Sequence, residues 1–319
     1  MPETTLLLRL DSIIWAIIAA IAAIVAAVTA IGDFSILWST YVAPSVGCIA
    51  LATAAGYYLQ LRNEPKIASA LGGTAQMIAF TAVAAPLSYI AASANFPLHD
   101  HVFADMDDAL GLDWRAMLTW MNAHAEIHFV FAAAYLSFTA QVITVVLLLA
   151  FTNKLVQMRT FMLALMLSAV ICIAISAVMP AEGVWGYYKL SAADHPAIVP
   201  ATREQHLTTY FGLRDGSYRY LTGLGSEGII TFPSFHAALG VVFIAAMWSV
   251  PILRWIGLAV NGIMIAATPI DGGHYFVDVI AGIVTALVCV AAARKVAHSL
   301  TVRPDALPPT ASTTLEAAE

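Results

Sequence analysis

Charge is what this sequence has least of. Asp, Glu, Lys and Arg make up only 11% of its 319 residues, against about 25% in an ordinary soluble domain. That shortage excludes a water-soluble globular protein. The 14 cations and 20 carboxylates leave a net charge of −6, which excludes the basic surface that a nucleic-acid partner requires. Cysteine is scarce too: Cys48, Cys172 and Cys289 are the three, each inside an apolar run. They read as small core residues, with no disulfide framework and no cysteine zinc site. Internal repeats are also missing, and many transporters are built from such repeats around ionisable groups at the bilayer midplane. A transporter or flippase therefore remains only as a second reading of the chain.

What the sequence has in excess is apolar. Hydrophobic residues make up 61% of it and the mean hydropathy is +0.83. A membrane-crossing helix takes about 20 mostly apolar residues. Eight runs approach that: Ile13–Ile31, Val42–Leu61, Ile67–Ala92, Ile127–Phe151, Phe161–Met179, Phe235–Val250, Ile252–Ile270 and Tyr275–Val296. The expected fold is all-α, a polytopic bundle of about eight membrane helices. The first run, with Arg9 ahead of it, also has the look of a secretory signal peptide, but its length favours a retained helix. Residues 1–66 form an N-terminal pair of spans, 67–300 the main membrane core, and 301–319 a Pro, Ala, Ser and Thr tail expected to be disordered.

Lys and Arg orient the bundle. With both termini inside, nine cations fall inside and five outside, and the short outer loops at 32–41 and 271–274 carry none. This agrees with the positive-inside rule. Two long outer connections result. Residues 93–126 are acidic, and Trp114, Met117, Leu118 and Met121 in that stretch predict a short helix lying at the membrane interface. Residues 180–232 are polar, aromatic and rich in Gly and Pro.

Polar chemistry concentrates between Thr231 and Gly282, in Phe232-Pro-Ser-Phe-His236 and Gly272-Gly-His-Tyr-Phe-Val-Asp278. A helix pair turning at Pro251 separates them, so His236 and His274, 38 positions apart, return to the same face of the membrane. Asp278 lies four residues after His274 and shares its helix face. A carboxylate there accepts from one ring nitrogen and leaves the other free to attack. A buried His–Asp pair that merely locks helices is the bland alternative; a second histidine at matching depth favours chemistry.

These motifs resemble the second and third signatures of the type-2 phosphatidic acid phosphatase superfamily. The likeness is closest to its inositol phosphorylceramide synthase (inositolphosphotransferase) branch, which has Phe-Pro-Ser-x-His, then His-Tyr-Phe-x-Asp followed by a Gly. The resemblance covers roughly residues 182–293. It implies a six-helix phosphatase-type core and attack by His274, forming a phosphohistidine. Asp278 would orient that ring, and His236 would act as the general acid. Ser234, Gly273 and the N–H groups at the helix start would hold phosphate oxygens. It implies no metal and no cofactor, a membrane lipid phosphoester as substrate, and transfer of a phospho-headgroup to a lipid alcohol. Hydrolysis of a lipid phosphate or pyrophosphate is the close alternative. Alanine-rich spans and a short polar tail suggest a bacterial inner membrane, with the site facing the periplasm.

The departures from the superfamily pattern matter as much. The Lys-x6-Arg-Pro signature is absent, and Ala267 and Thr268 stand where Ser-Arg usually opens the third motif. The synthase branch lacks that pair too. The missing phosphate-clamping cation must come from elsewhere, and Arg214 and Arg219, just ahead of the first motif, are the nearest candidates, with Lys189 behind them. Asp105, Asp107 and Asp108 read as a solvated acidic loop rather than a cation site, and the His124-x-Glu126-x-His128 run as no metal motif.

Overall fold

Hydrophobic length decides the architecture. The computed structural model describes residues 3–191, 195–198, 200, 204–223 and 228–302, so the tail from residue 303 lies outside the described residues. Among them are α1 (Glu3–Ile31), α2 (Ser39–Gln60), α3 (Pro65–Ala92), α4 (Asp100–Ala109), α5 (Trp114–Asn122), α6 (Ala125–Leu136), α7 (Phe138–Phe151), α8 (Leu155–Val178), α9 (Val184–Tyr187), α10 (Glu204–Asp215), α11 (Phe235–Met247), α12 (Leu253–Asp271) and α13 (Phe276–Val302). Residues 35–36 (β1) and 220–221 (β2) form one short parallel pair. The protein is an all-α polytopic membrane bundle. Six helices are long and apolar enough to span, α6 and α7 form a bent pair that counts as a seventh, and α11 is a shorter apolar helix. Together they match the eight expected runs.

The one broken run has a local cause. α6 and α7 meet at 52° around Ser137, whose hydroxyl donates to the Ala134 carbonyl at 2.6 Å and accepts from the Gln141 amide at 2.9 Å. Side-chain bonding back to the preceding turn bends helices in this way.

The interior is built from α3, α7, α8, α11 and α13, whose buried Phe80, Val146, Met162, Phe243 and Ala286 belong to one core. α1 joins them along Leu10, Ile14, Ile18, Ile21 and Val25, a helical stripe. Its Asp11 is bound by Arg159 of α8, from Nη2 at 3.0 Å and from Nε at 3.2 Å to each carboxylate oxygen. Gln76 of α3 donates to the same carboxylate at 3.2 Å. α2 buries only Pro44 and leaves a face for lipid.

The long connections fold over one end of the bundle, against Ile270, Tyr275 and Val277. α5 turns Trp114, Leu118 and Met121 into protein, and the Trp114 indole donates to the Pro269 carbonyl at 3.2 Å. The apolar face of this helix meets Trp185 and Tyr188. The acidic loop is corrected at one residue: Asp105 and Asp108 are exposed, but Asp107 is buried and, with the buried Asp100 of α4, binds backbone at the motif end of the bundle.

Candidate active site

The two motifs are tied to each other through backbone. The Ser234 N–H donates to the Asp278 carbonyl at 3.0 Å. One turn further along α13, Gly282 lies so close to Ser234 that an added Cβ would run into the Ser234 carbonyl oxygen. The glycine after the third motif is thus a requirement of α11 meeting α13.

His274 sits in the loop between α12 and α13 with 3% of its surface exposed. Its Nδ1 faces Asp278 Oδ2 at 3.3 Å, and the same oxygen accepts the Tyr275 N–H at 2.9 Å. Burial pushes the His274 imidazole down to about 4, and a hydrogen bond with the Thr231 backbone acts against it. The ring is therefore neutral at neutral pH, the state a nitrogen nucleophile needs. His236, at the start of α11, lies stacked on Tyr135 of α6 with ring centroids 4.0 Å apart. The Tyr135 hydroxyl is 3.1 Å from His236 Nδ1, and Phe138 packs edge-on at 4.8 Å.

The loop carrying His274 is held from outside by the two buried aspartates. Asp107 accepts the N–H groups of Phe276 and Val277 at 2.8 and 2.9 Å, which caps the first turn of α13. Asp100 accepts the N–H groups of Glu182 and Gly183 at 3.1 and 2.9 Å and the Tyr275 hydroxyl at 3.0 Å. Burial raises both carboxyls, and these donors act against the rise. Gly183 and Gly273 both have positive φ, 86° and 66°. A Cβ on Gly183 would come within 2.6 Å of the Gly273 carbonyl oxygen, which instead accepts the Val184 N–H at 3.1 Å.

His236 and His274 line one cavity of about 930 Å³. Its polar end has Glu182, His206, Thr231, Gly272 and Gly273 beside the two histidines. Its other walls are apolar: Met77, Phe80 and Ala84 of α3, Val142 of α7, Leu165 and Ile173 of α8, and Leu239 of α11. No Lys or Arg is among the described residues that line it. His206 of α10 is a third histidine that the sequence did not mark. Burial first, and the neighbouring His274 second, push it down to about 4, while a Gly228 backbone hydrogen bond acts against that.

The structure brings His274, Asp278, His236 and Gly273 together. Ser234 lies behind the cavity wall, fully buried, where its hydroxyl accepts the Ala237 N–H at 3.3 Å and caps α11. The arginines are placed elsewhere. Arg214 donates to the Phe96 carbonyl at 2.6 Å and lies 5.5 Å over the Tyr210 ring. Arg219 donates to the Leu213 carbonyl at 2.5 Å and lies 5.0 Å over Phe34. Neither lines the cavity. Two residues escaped the sequence reading for different reasons. His206 lies in an irregular polar connection with no motif around it. Tyr135 lies in an apolar run, and its only signal is its place seven residues after His128 on one helix face, where His128 in turn faces Asp271 at 3.3 Å.

A buried histidine held by a carboxylate, with a second histidine across a shared cavity in a membrane bundle, defines a membrane-embedded enzyme of group transfer. The chain belongs to the PAP2 superfamily, whose family model matches residues 101–292. It is accordingly an enzyme of the membrane lipid phosphatase and phosphotransferase kind. The chain matches no curated protein and no solved structure.

Proposed function

We propose that the protein moves a phosphoryl group or phospho-headgroup from a lipid phosphoester to a lipid alcohol, by double displacement through His274. The ring nitrogen of His274 not facing Asp278 attacks phosphorus, and the bond from phosphorus to the leaving alcohol oxygen breaks. His236 supplies the proton to that oxygen. An incoming hydroxyl then attacks the phosphohistidine, gives its proton to His236 and releases His274. Asp278 orients the nucleophile and stabilises the cationic phosphoimidazole.

The observation that carries this reading is that one cavity joins both histidines to long apolar walls. A phosphate at the polar end leaves the acyl chains of the same molecule along α3, α7, α8 and α11. Anionic oxygens are met by Gly273, by the first-turn N–H groups of Phe235 and His236, which have no intrahelical acceptor, and by His206 in place of the family's arginine. Arg214 and Arg219 act on the outer connection itself rather than on substrate. The match of Phe232–His236 and His274–Asp278 to the inositolphosphotransferase branch favours an alcohol over water as acceptor. The cation distribution supports a site on the outer side: Arg62 and Lys154 in connections, and Lys66 and Arg254 in the first turns of α3 and α12, all lie at the end opposite the motifs. With the alanine-rich spans, this points to the periplasmic face of an inner membrane.

The test is to supply a lipid phosphoester labelled at phosphorus, with and without lipid alcohols. Label appearing in a new phosphoester only when alcohol is present is the expected result. Label appearing only as inorganic phosphate assigns hydrolysis and overturns the transferase reading.

A further inference from the structure

His274 and His236 have opposite kinds of partner at the same ring atom. Nδ1 of His274 faces a carboxylate oxygen, Asp278 Oδ2, at 3.3 Å. An ionised carboxylate only accepts, so it selects the tautomer with the proton on Nδ1, with the Thr231 backbone as the ring's second neighbour. Nδ1 of His236 faces a hydroxyl, Tyr135, at 3.1 Å. That hydroxyl has no other hydrogen-bond partner among the described residues, and Gly272 presses against it closely enough that a Cβ there would come within 2.9 Å of the oxygen. A buried O–H with one partner donates to it, because an unmet donor is costly. The proton of the neutral His236 ring is then on Nε2. His236 Nε2 is buried without a partner among the described residues, and the residue lines the cavity. The tautomers are thus assigned from the hydrogen-bond network: one ring is set as a base and the other as a donor.

We propose that Tyr135 is the positioning residue that sets His236 as the acid of the reaction. This rests on the reading of His236 as general acid. In the resting site Tyr135 donates to Nδ1, and Nε2–H points at the leaving oxygen. When the ring takes a second proton from solvent, stabilised by the anionic phosphate bound beside it, the hydroxyl turns and accepts from Nδ1–H. The Nε2 proton passes to the leaving alkoxide as its bond to phosphorus breaks. The ring is left neutral with its proton on Nδ1, held by the Tyr135 oxygen, and with Nε2 bare to take the proton of the incoming hydroxyl. A hydroxyl serves both states because it donates and accepts. A carboxylate in its place would serve only the second. The ring stack at 4.0 Å and the edge contact of Phe138 at 4.8 Å hold the imidazole plane while the hydroxyl turns.

The experiment compares two substrates in the purified full-length protein. One is an alkyl lipid phosphoester, whose leaving alkoxide needs a proton. The other is an aryl phosphoester with the same lipid tail and a nitrophenoxide leaving group, which departs without one. In Tyr135→Phe, kcat/KM for the donor, which reports only the first half-reaction of a double displacement, falls about 10- to 100-fold on the alkyl substrate, within the range of general acid catalysis. On the aryl substrate kcat/KM falls less than threefold. His236→Asn shows the same selectivity for the alkyl substrate, more strongly. The ratio of the two rates within one preparation does not depend on how much of the variant folds. Equal losses on both substrates in Tyr135→Phe, with His236→Asn still selective, would overturn the role of Tyr135 alone. Equal losses in His236→Asn would overturn the reading of His236 as acid.

Discussion

Asp278 has two bonds to manage at the residue scale. One oxygen takes both His274 Nδ1 and the Tyr275 N–H, so the carboxylate fixes the ring proposed as nucleophile and the bend that presents it. Asp278→Asn keeps the shape but not the charge; the rate should fall about 100-fold or more, while the thermal midpoint in detergent moves by only a few degrees. Acid should also act through histidine. His274 and His206 are both held down to about 4 by burial, from an ordinary value of 6.5. Between those values the unfolded chain takes protons that the folded protein refuses, so their contribution to stability is complete above about 6.5 and is lost as pH falls towards about 4. Asp100, Asp107 and Glu182, raised by burial, act in the opposite sense in acid. The histidine part is isolated by comparison: thermal midpoints of His206→Gln measured from pH 7 to pH 4.5 should fall less steeply than those of the wild type. The site residues legible in the sequence were those whose polarity stands out in an apolar stretch at fixed spacing, His236, His274 and Asp278. Tyr135 was not, because its hydroxyl is an ordinary feature of a membrane helix until its partner is known.

Elements bring those residues together by close backbone approach and by caps. α11 and α13 meet where Gly282 faces the Ser234 carbonyl and the Ser234 N–H faces the Asp278 carbonyl. Gly282→Ala forces the two helices apart at the site and should cost about 2 kcal/mol or more of stability, with activity falling further than stability alone explains. The cap supplied from α4 is a separate device. Asp107→Ala removes the acceptor of two first-turn N–H groups of α13 and should destabilise by about 1–2 kcal/mol; Asp107→Asn, which can still accept, should recover part of it. Thermal unfolding in detergent reads both effects. The sequence showed where the spans lie because hydrophobic length is a local property. It left the partner of α5 and the burial of Asp107 unread, because an amphipathic helix looks the same whether its apolar face meets lipid or Trp185 and Tyr188, and Asp107 looks as solvated as Asp105 and Asp108 until the amides it binds are in place.

Across the whole molecule, the proposed catalytic site and the Asp11–Arg159 anchor occupy different parts of the bundle. Asp11 of α1 is bound to Arg159 of α8 far along both helices from the ends that carry the motifs. Arg159 is nearly buried and Asp11 about a quarter exposed, with side-chain values of 8% and 25%. Asp11→Ala should cost about 2–4 kcal/mol, because it strands a guanidinium, and should leave kcat at low temperature within twofold of wild type. Adding Arg159→Met should restore most of the stability, since an apolar replacement of a buried pair is often neutral. A bundle that loosens without losing its low-temperature rate would confirm the separation. The central claim concerns the other end, and rapid quenching tests it most directly. With a substrate labelled at phosphorus, the wild type should hold label on His274, stable in alkali and lost in acid, and His274→Ala should hold none and turn over none. Label on any other residue, or turnover surviving in His274→Ala, would contradict the account.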